Sequence, residues 1–425
     1  MRSGKKLGNS SRMRVAGFIL AAALLAACST TRAPIETPRA GPAPQPTPQV
    51  PAPVPVEPGW RPPVAVSFDA LPGWGQVDLL PGVRAFQKSC EVFQRRSPSS
   101  NISDSAAWAG RVDDWLAGCA ALEVVEDQGS AQAVLQALFT PVEISSPTGE
   151  SRFTGYFEPV YEARRTPQGA FTEPVPALPA DLVSEGGDNV YQVLPTGAQR
   201  PYPTRAEITA AGVTPLAYAH PADVFFLQIQ GSGKLVFPDG RVMKAAYAAH
   251  NGQPFRSTAN WLIDRGWITR GEASMQGIRA WMDRAPPQQV REAMNANPRF
   301  VFFTVDASDS DASGPKGALT VPLTPLGSMA VDRDFLPLGA PVFVQTSAPG
   351  LGGQWSGLLN AQDTGGAIKG PVRGDIYFGT GPDAGDRAGT MNSPGRLWVL
   401  LPRAVAARLV GPGAMAELGH LPRLH

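Results

Sequence analysis

From about residue 300 onward, the chain consists of short apolar segments that glycine and proline interrupt about every ten residues. The segments are NPRFVFFTV, SMAVD, APVFVQT, GLLNAQD, GDIYFG and RLWVLLP. They are too short for helices of ordinary length and favour strands joined by tight turns. The pattern therefore predicts a small barrel. Because these segments alone supply few strands, we expect earlier strands to complete the barrel and the chain between them to form an inserted domain.

The chain before residue 300 alternates between helical and strand patterns. Apolar residues recur at helical spacing from about residue 75 to 140 and again from about 257 to 296. The segment RFTGYFEPVYEARR alternates as a strand does, and ADVFFLQIQGSGKLVFPDGRVMKAAY predicts three strands joined by Gly-Ser-Gly and Pro-Asp-Gly turns. Glycine (45) and proline (44) each make up about a tenth of the 425 residues, which favours strands and loops over a helical bundle. We expect a mainly β protein with a helical N-terminal segment.

The first 28 residues predict the compartment. Basic residues lead into the apolar run VAGFILAAALLAAC, which is too short to span a bilayer comfortably and has the form of a signal peptide. Its end, Leu25-Ala26-Ala27-Cys28, resembles a bacterial lipobox, in which the cysteine is acylated and becomes the new N-terminus. Because Ser29 follows rather than aspartate, the resemblance implies an outer-membrane lipoprotein that faces the periplasm. An ordinary signal peptide with a chance cysteine is the alternative.

Two further features fit a periplasmic protein. Residues 29–63 are so rich in proline that they cannot form a core, and they predict a stiff tether between the membrane and the folded part. Cys90 and Cys119 each lie on a predicted helix. In an oxidising compartment such a pair predicts a disulfide that ties the two helices together, and two buried free thiols are the alternative.

Several kinds of site are excluded because the residues that they require are missing from the sequence. The histidines lack metal-ligand spacing, and no HExxH or CxxC motif occurs, so we expect no metal site. The sequence contains no GxSxG nucleophile elbow and no GxxxxGK[ST] phosphate loop. The net charge of +1 does not give the basic field that nucleic-acid binders need. We therefore expect no cofactor and no nucleic-acid partner.

Carboxylate chemistry remains, and three aspartates are its candidates. Asp332, Asp363 and Asp375 each follow or end an apolar strand segment near glycine. Strand ends place side chains at a barrel rim, and glycine lets a bulky ligand approach the backbone, although aspartate near glycine also makes ordinary turns. Asp363-Thr364-Gly365 suggests an aspartic protease, but a pepsin-type enzyme needs two such loops and this sequence has one. Cleavage of a glycosidic bond by a carboxylic acid is the other chemistry of this kind.

Five long motifs occur in the following order: FTGYFEP; VFFLQIQGSGKL; YAAHNGQPF; LTVPLTPLGSMAVDRDFLPLG; and AQDTGGAIKG with GDIYFGTGPDAG. Together they resemble the membrane-bound lytic transglycosylase A family of murein-cleaving lipoproteins, over about residues 150–402. The last two resemble the C-terminal module of that family, which is named for three aspartates. The resemblance implies a double-psi β-barrel domain plus a second, smaller β-rich inserted domain, with a groove between them.

The implied division of the chain has six parts. They are a lipoprotein signal peptide (1–28), the proline-rich tether (29–63), a helical segment that packs with and contributes to the barrel (64–150), the family-specific inserted domain (151–300), the three-aspartate double-psi barrel module (301–405) and a C-terminal tail (406–425).

The resemblance also implies an activity and a site. The family cleaves the β-1,4 bond between N-acetylmuramic acid and N-acetylglucosamine without water and leaves a 1,6-anhydromuramic end. By motif, Asp375 is the single acid that donates a proton and then takes one back, and Asp363 and Asp332 support it. The implied groove residues are Thr154, Gly155, Tyr156, Phe157, Gln230, Gly231 and Ser232. Lys369 and Tyr377 are further substrate-binding candidates, with an exposed turn lysine and a core ring as the alternatives.

Two other functions would also use such a groove. One is a murein-binding barrel without activity, and the other is a hydrolase of a different β-glycan. The expected partners are peptidoglycan glycan strands, the outer membrane through the lipid anchor, and a cell-wall synthesis or hydrolysis complex. We expect the protein to be a monomer.

Overall fold

The computed structural model describes residues 63–306 and 314–410, so Cys28, the lipobox, the tether and most of the tail lie outside the described residues. The helices are α1 (Leu80–Gln94), α2 (Val112–Glu123), α3 (Gln128–Leu138), α4 (Arg205–Ala211), α5 (Pro221–Gln230), α6 (Thr258–Asp264), α7 (Met275–Arg284), α8 (Pro287–Asn295), α9 (Pro382–Gly389) and α10 (Arg403–Val410). None of these helices is long and apolar enough to cross a membrane.

The strands form four sheets. They are β1 (Val64–Ala65), β2 (Phe139–Ile144), β3 (Arg152–Glu158), β4 (Val160–Glu162), β5 (Glu173–Pro176), β6 (Leu182–Ser184), β7 (Val190–Val193), β8 (Gln199–Pro201), β9 (Pro215–Ala219), β10 (Gly233–Val236), β11 (Val242–His250), β12 (Val301–Val305), β13 (Ser328–Val331), β14 (Pro341–Ala348), β15 (Gly353–Asp363), β16 (Arg373–Thr380), β17 (Asn392–Ser393) and β18 (Gly395–Pro402).

The largest sheet has nine strands in the order β1-β2-β18-β14-β15-β13-β16-β3-β17. Within it, β13 runs parallel to β15 and β16 runs parallel to β3, whereas the other neighbouring pairs are antiparallel. The predicted strand segments from SMAVD to RLWVLLP are confirmed as β13, β14, β15, β16 and β18. Earlier strands do join them, because β1, β2 and β3 lie in the same sheet.

The helical N-terminal segment packs on this sheet. Phe86 of α1 and Trp115 of α2 meet Phe139 of β2, and Phe93 of α1 packs on Phe86 and Trp115, with ring centroids between 6.0 and 6.4 Å apart. A disulfide joins Cys90 of α1 to Cys119 of α2, with the two Cα atoms 5.5 Å apart. The disulfide therefore ties α1 to α2, and all three helices share one apolar core with the nine-stranded sheet.

Residues 160–305, which we call the insert, form the other three sheets together with α4–α8. The largest of these sheets has the order β12-β11-β10-β4. Two strands pair with a different part of the chain from the one to which the predicted domain boundaries assign them. Val301–Val305 pairs with β11 of the insert rather than with the nine-stranded sheet, and Arg152–Glu158 pairs with β16 of that sheet. The chain enters the insert after Arg152–Glu158 and leaves it through Val301–Val305. The hydrogen-bond pairing of each strand decides whether it belongs to the insert or to the nine-stranded sheet.

The segment ADVFFLQIQ forms the helix Pro221–Gln230, so the predicted strand is wrong there. The side chain of His220 accepts a backbone hydrogen bond in the first turn, and Gly231, with a φ of 84°, ends the helix. The side chains of Ala222–Gln228 are all buried, and the apolar ones among them belong to two different clusters. A helix that is buried on all sides has no polar stripe, and its apolar run cannot be told from a buried strand by periodicity.

Candidate active site

Asp363 and Asp375 lie on one face of the nine-stranded sheet, with a single strand between them. Ala330 of β13 is paired with Asp375 of β16 on one side and with Asp363 of β15 on the other. Directly paired residues of neighbouring strands project from the same face, and two strand spacings of about 4.8 Å separate the two Cα atoms by about 10 Å. Thr154 of β3 is paired with Asp375 on its far side. We call Asp363, Ala330, Asp375 and Thr154 the aspartate row.

Asp363 reaches this row because β15 contains a β-bulge. The pairing of β15 with β13 passes from Ala361 opposite Met329 to Asp363 opposite Ala330, which leaves Gln362 as an extra residue. A bulge of this kind changes the direction of the side chains that follow it. In a regular strand Asp363 would project from the same side as Ala361, which is completely buried.

The carboxylate of Asp375 is bonded through one oxygen. Thr154 Oγ1 donates to Asp375 Oδ1 at 2.6 Å, and Arg373 Nη2 donates to that hydroxyl at 2.8 Å. No residue that the structure describes donates to Oδ2. Burial raises the pKa of Asp375 above its ordinary value, against the lowering effects of the Arg373 charge and the Thr154 hydrogen bond. A carboxyl group with a raised pKa and an uncommitted oxygen can donate a proton to a bound ligand.

The carboxylate of Asp363 receives three hydrogen bonds. Tyr156 Oη donates to Oδ2 at 2.9 Å, and the backbone N–H groups of Ala318 and Thr364 each donate to Oδ1 at 2.9 Å. Burial, with a smaller contribution from the charge of the neighbouring Asp375, raises the pKa of Asp363 to about 6 in spite of these three hydrogen bonds. Because every partner of this carboxylate is a donor, its contacts stabilise the ionised form.

Asp332 lies outside the aspartate row, directly after β13. Its Oδ2 accepts a hydrogen bond from the N–H of Gly370 at 2.8 Å. Its side chain is 4% exposed, and its Oδ1 lies 3.8 Å from Nζ of Lys369, whose side chain is 67% exposed. Asp332 thereby holds the loop of residues 364–372, which joins Asp363 to Asp375.

The four candidate residues on β3 project from two sides of the strand. Thr154 and Tyr156 reach the two aspartates. Gly155 faces helix α9, where an added Cβ would lie 2.9 Å from the backbone of that helix. Phe157 is 6% exposed and belongs to the apolar core. The structure thus brings two of the four to the carboxylates.

The candidates from the insert lie where α5 meets β3. Gln230 Oε1 accepts a hydrogen bond from the N–H of Phe157 at 3.2 Å. Gly231 caps α5 in the left-handed conformation, and Ser232 connects it to β10. This end of α5 is therefore anchored to the strand that carries Thr154 and Tyr156.

Three tyrosines lie near the aspartate row. Tyr377 is completely buried, and its ring lies 5.3 Å from that of Tyr156. Tyr247 of β11, which the sequence analysis did not select, is 48% exposed. Partial desolvation raises the pKa of Tyr247, the charge of Arg299 opposes that rise, and the charges of Asp188 and Asp363 add to it. An exposed ring within electrostatic reach of a site carboxylate is a surface on which a sugar can stack.

Two arginines were also missed. Arg373 precedes Asp375 by two residues on the same strand, and this spacing places both side chains on one face. The sequence therefore contained a signal for Arg373. Arg299 of the insert donates to Asp188 at 2.9 Å, and its guanidinium carbon would lie 3.0 Å from a Cβ added at Gly366. No local pattern places Arg299 against the loop of residues 364–372.

Within the described ranges, no group of three or more histidine, cysteine, aspartate or glutamate side chains could hold a metal ion. The groups that the aspartate row and the adjoining Arg373 do offer are two carboxyls, a hydroxyl and a guanidinium. One carboxyl is held as an acceptor by three donors, and the other keeps an oxygen uncommitted. This arrangement supports general acid–base chemistry beside a fixed negative charge.

Two known families match the chain. The family described as MltA specific insert domain matches residues 152–304, and the family described as 3D domain matches residues 327–401. The first match includes β3 and β12, and the second begins just before β13 and ends within β18. Both ends of the aspartate row therefore lie within matched segments.

Relatives and solved structures agree with these matches. Membrane-bound lytic murein transglycosylase A of Escherichia coli (strain K12) is 38% identical over 262 residues, which cover 59% of this chain and 66%, just under two thirds, of that relative. A membrane-bound lytic murein transglycosylase from Agrobacterium tumefaciens has a TM-score of 0.71 at 29% identity, and the match covers 82% of this chain and 100% of that one. E. coli MltA with bound chitohexaose has a TM-score of 0.59 at 30% identity, with coverage of 80% and 95%. The chain therefore belongs to the membrane-bound lytic murein transglycosylase A family.

Proposed function

We propose that this protein is a peptidoglycan lytic transglycosylase that cleaves the β-1,4 bond between N-acetylmuramic acid and N-acetylglucosamine without water. The observation that carries the proposal is the aspartate row, in which only one of two neighbouring carboxyls keeps an uncommitted oxygen. A glycosidase that uses water needs a second carboxylate as nucleophile or base. Asp363 is poorly suited to that role because both of its oxygens already accept hydrogen bonds.

The first step transfers a proton from Asp375 to the glycosidic oxygen. That oxygen leaves with N-acetylglucosamine as the C1–O bond of the muramic acid breaks. Positive charge develops on the muramic ring, and the Asp363 carboxylate is the fixed negative charge that stabilises it. The raised pKa of Asp375 keeps a larger fraction of this carboxyl protonated before the step.

The second step returns the proton. The C6 hydroxyl of the same muramic residue attacks C1, and the Asp375 carboxylate takes the hydroxyl proton. The product is a 1,6-anhydro ring, and Asp375 is again protonated, so no water is consumed. The attacking hydroxyl belongs to the substrate itself, which gives the step the advantage of an intramolecular nucleophile.

The neighbours of Asp375 position it for both steps. Thr154 holds Oδ1, and Arg373 holds the Thr154 hydroxyl, so that Oδ2 is left for the substrate. Tyr156 and the N–H groups of Ala318 and Thr364 hold Asp363 in its ionised form. In this proposal Asp332 supports the site through the loop of residues 364–372 and does not touch the sugar.

The same proposal includes the surroundings of the site. The nine-stranded sheet region is a double-psi β-barrel, and the glycan lies in a groove between it and the insert, bordered by Tyr247, Lys369 and the end of α5. A related structure that binds chitohexaose supports a glycan ligand. The lipobox and the proline-rich tether support a lipid anchor at Cys28 in the outer membrane, with the enzyme in the periplasm as a monomer.

The decisive experiment is mass spectrometry of murein sacculi digested with the purified protein. We expect muropeptides with 1,6-anhydromuramic ends. Products heavier by one water would identify a hydrolase, and binding to sacculi without products would identify a murein-binding barrel. Either result would overturn the proposal.

A further inference from the structure

Gln362, the extra residue of the bulge in β15, is completely buried although its side chain is polar. Its Oε1 accepts a hydrogen bond from Ser328 Oγ at 2.6 Å. Its Nε2 donates to the carbonyl of Ala85 at 2.6 Å and to Ser89 Oγ at 2.8 Å. Both polar atoms of the amide are thus paired inside the protein, and removal of these partners would leave buried groups without hydrogen bonds.

The partners of Gln362 belong to a rigid support. Ala85 and Ser89 lie on α1, which the Cys90–Cys119 disulfide ties to α2. Helix α1 lies directly against β15, because a Cβ added at Gly82 would be 2.3 Å from a backbone oxygen of that strand. The bulge is therefore fixed to a helix beneath the sheet as well as to its neighbouring strand.

The backbone at the bulge is held from the other direction by residues 314–327. The N–H of Leu319 donates to the carbonyl of Gln362 at 3.0 Å. The residue before it, Ala318, is the one whose N–H donates to Asp363. Thr320 in the same segment has a φ of 63°, a left-handed conformation that is strained for threonine and persists only where surrounding contacts enforce it. One segment thus contacts both the bulge residue and the carboxylate that follows it.

We propose that Gln362 is a positioning residue, which holds the bulge in β15 so that Asp363 stays in the aspartate row opposite Ala330. The inference rests on the proposed function, because it assigns a role in that reaction. Gln362 itself does not touch the substrate. Loss of its amide hydrogen bonds allows β15 to return to regular pairing, and Asp363 then turns away from Asp375.

Asn360 supplies a matched control on the same strand. It is also completely buried, and its Nδ2 donates to the carbonyl of Gly82 on α1 at 2.7 Å. It precedes the bulge and is paired in regular register with Ser328 of β13. Gln362→Met and Asn360→Leu each remove a buried amide bonded to α1 and keep the side-chain shape. Only Gln362→Met removes the amide at the bulge.

The experiment measures kcat and KM of the two full-length variants on sacculi. It also measures the thermal midpoint of each purified variant. We expect both variants to lose thermal stability. We expect Gln362→Met to lower kcat by about 100-fold, as misplacement of a reacting group by about 1 Å does, with KM changed less than twofold. Asn360→Leu should keep kcat within about twofold of the parent protein, since Asp363 stays in place.

The pH profile separates positioning from a general loss of stability. Asp363 faces Tyr156 of β3, Asp375 of β16 and Tyr247 of β11, and burial among these groups raises its pKa to about 6. When Asp363 leaves the aspartate row in Gln362→Met, its ionisation no longer contributes to kcat. The acid limb of kcat near pH 6 is then lost in this variant and is kept in Asn360→Leu.

A milder variant tests the inference if Gln362→Met does not fold. Ser89→Ala removes only the 2.8 Å hydrogen bond to Gln362 and places a good helix former in α1, so we expect it to fold and to lower kcat by about tenfold. Loss of stability with unchanged kcat and pH profile in both Gln362→Met and Ser89→Ala would overturn the inference. Equal losses of kcat in Asn360→Leu and Gln362→Met would overturn it as well. A parent protein that releases no anhydromuropeptides would instead refute the proposed function.

Discussion

Asp375 and Asp363 project from the same face of one sheet, yet the surroundings of the two carboxylates differ. Asp375 accepts a hydrogen bond from one hydroxyl, whereas Asp363 accepts three from a phenol and two backbone N–H groups. Burial raises the pKa of both. The difference shows that burial alone does not assign roles to two neighbouring carboxyls. The number of donors decides which one can exchange a proton with a ligand and which one remains a fixed charge.

Asp375→Asn is the change with the largest expected effect. The amide cannot donate a proton to the glycosidic oxygen as a carboxylic acid does, and it cannot accept one from the C6 hydroxyl. We expect release of anhydromuropeptides to fall by at least about 10³-fold, within the range for loss of a general acid–base. Chromatography with mass spectrometry of the digest measures this loss. Full activity in the variant would assign the acid to Asp363.

Asp363→Asn should have a smaller effect, about 100-fold on kcat, because it removes a fixed charge but leaves the proton donor in place. Asp383→Asn, which removes an exposed carboxylate at the start of α9, is the matched control and should retain full activity. A loss in Asp363→Asn as large as that in Asp375→Asn would contradict the different roles of the two residues.

The stability of Asp363→Asn tests the same difference without substrate. Burial raises the pKa of Asp363 to about 6 in the folded protein, so the folded state binds more protons than the unfolded state between about pH 4 and 6. The contribution of Asp363 to stability therefore decreases as the pH rises through this window. We expect the advantage of Asp363→Asn over the parent in thermal midpoint to grow from pH 4 to pH 7. A difference that does not change with pH would place the carboxylate in a water-like environment.

Thr154→Val removes the one hydroxyl that donates to Asp375 and keeps the side-chain shape. We expect kcat to fall by about tenfold, which is the size of one hydrogen bond to a charged group. This hydrogen bond lowers the pKa of Asp375, so its loss raises that pKa and moves the basic limb of the pH–rate profile to higher pH. A basic limb that stays in place would mean that Asp375 is not the titrating acid.

Tyr156→Phe should have the smallest effect. It removes one of three donors to Asp363, so the pKa of Asp363 rises above about 6. A rise of about one unit would halve the ionised fraction near pH 7, and kcat there would fall by about twofold. The acid limb should move to higher pH, whereas in Gln362→Met it should be lost. An unchanged acid limb would show that ionised Asp363 is not required.

The sequence predicted the strands that surround the site but not every helix. The strands of the nine-stranded sheet after residue 327 were recognised because each is a short apolar run between glycine and proline. Helix α5 was missed because its residues are buried on all sides, so that periodicity carried no signal. The placement of β3 and β12 depended on long-range pairing, which local patterns do not encode.

The site was predicted in part. Asp363 and Asp375 were selected as aspartates at or near strand ends beside glycine, and the structure pairs both with Ala330. The motif on β3 included Gly155 and Phe157, but a strand projects alternate side chains to opposite faces, and these two pack away from the carboxylates. Arg373 could have been found from its spacing to Asp375. Arg299 could not, because it lies 64 to 76 positions from the two aspartates, by subtraction of the residue numbers, and only folding brings its guanidinium to the loop between them.

By itself, the sequence determined the residue types and the local order of the site: carboxylates at and near strand ends, with glycine around them. These follow from short-range preferences, which are set by a few neighbouring residues. The tertiary structure alone decided that Asp363 stands in register with Asp375, since a bulge at Gln362, fixed to α1 more than 270 residues earlier in the chain, sets that register. It also decided which carboxylate keeps an uncommitted oxygen, because donors from two distant segments join the adjacent Thr364 at Asp363, whereas one hydroxyl reaches Asp375.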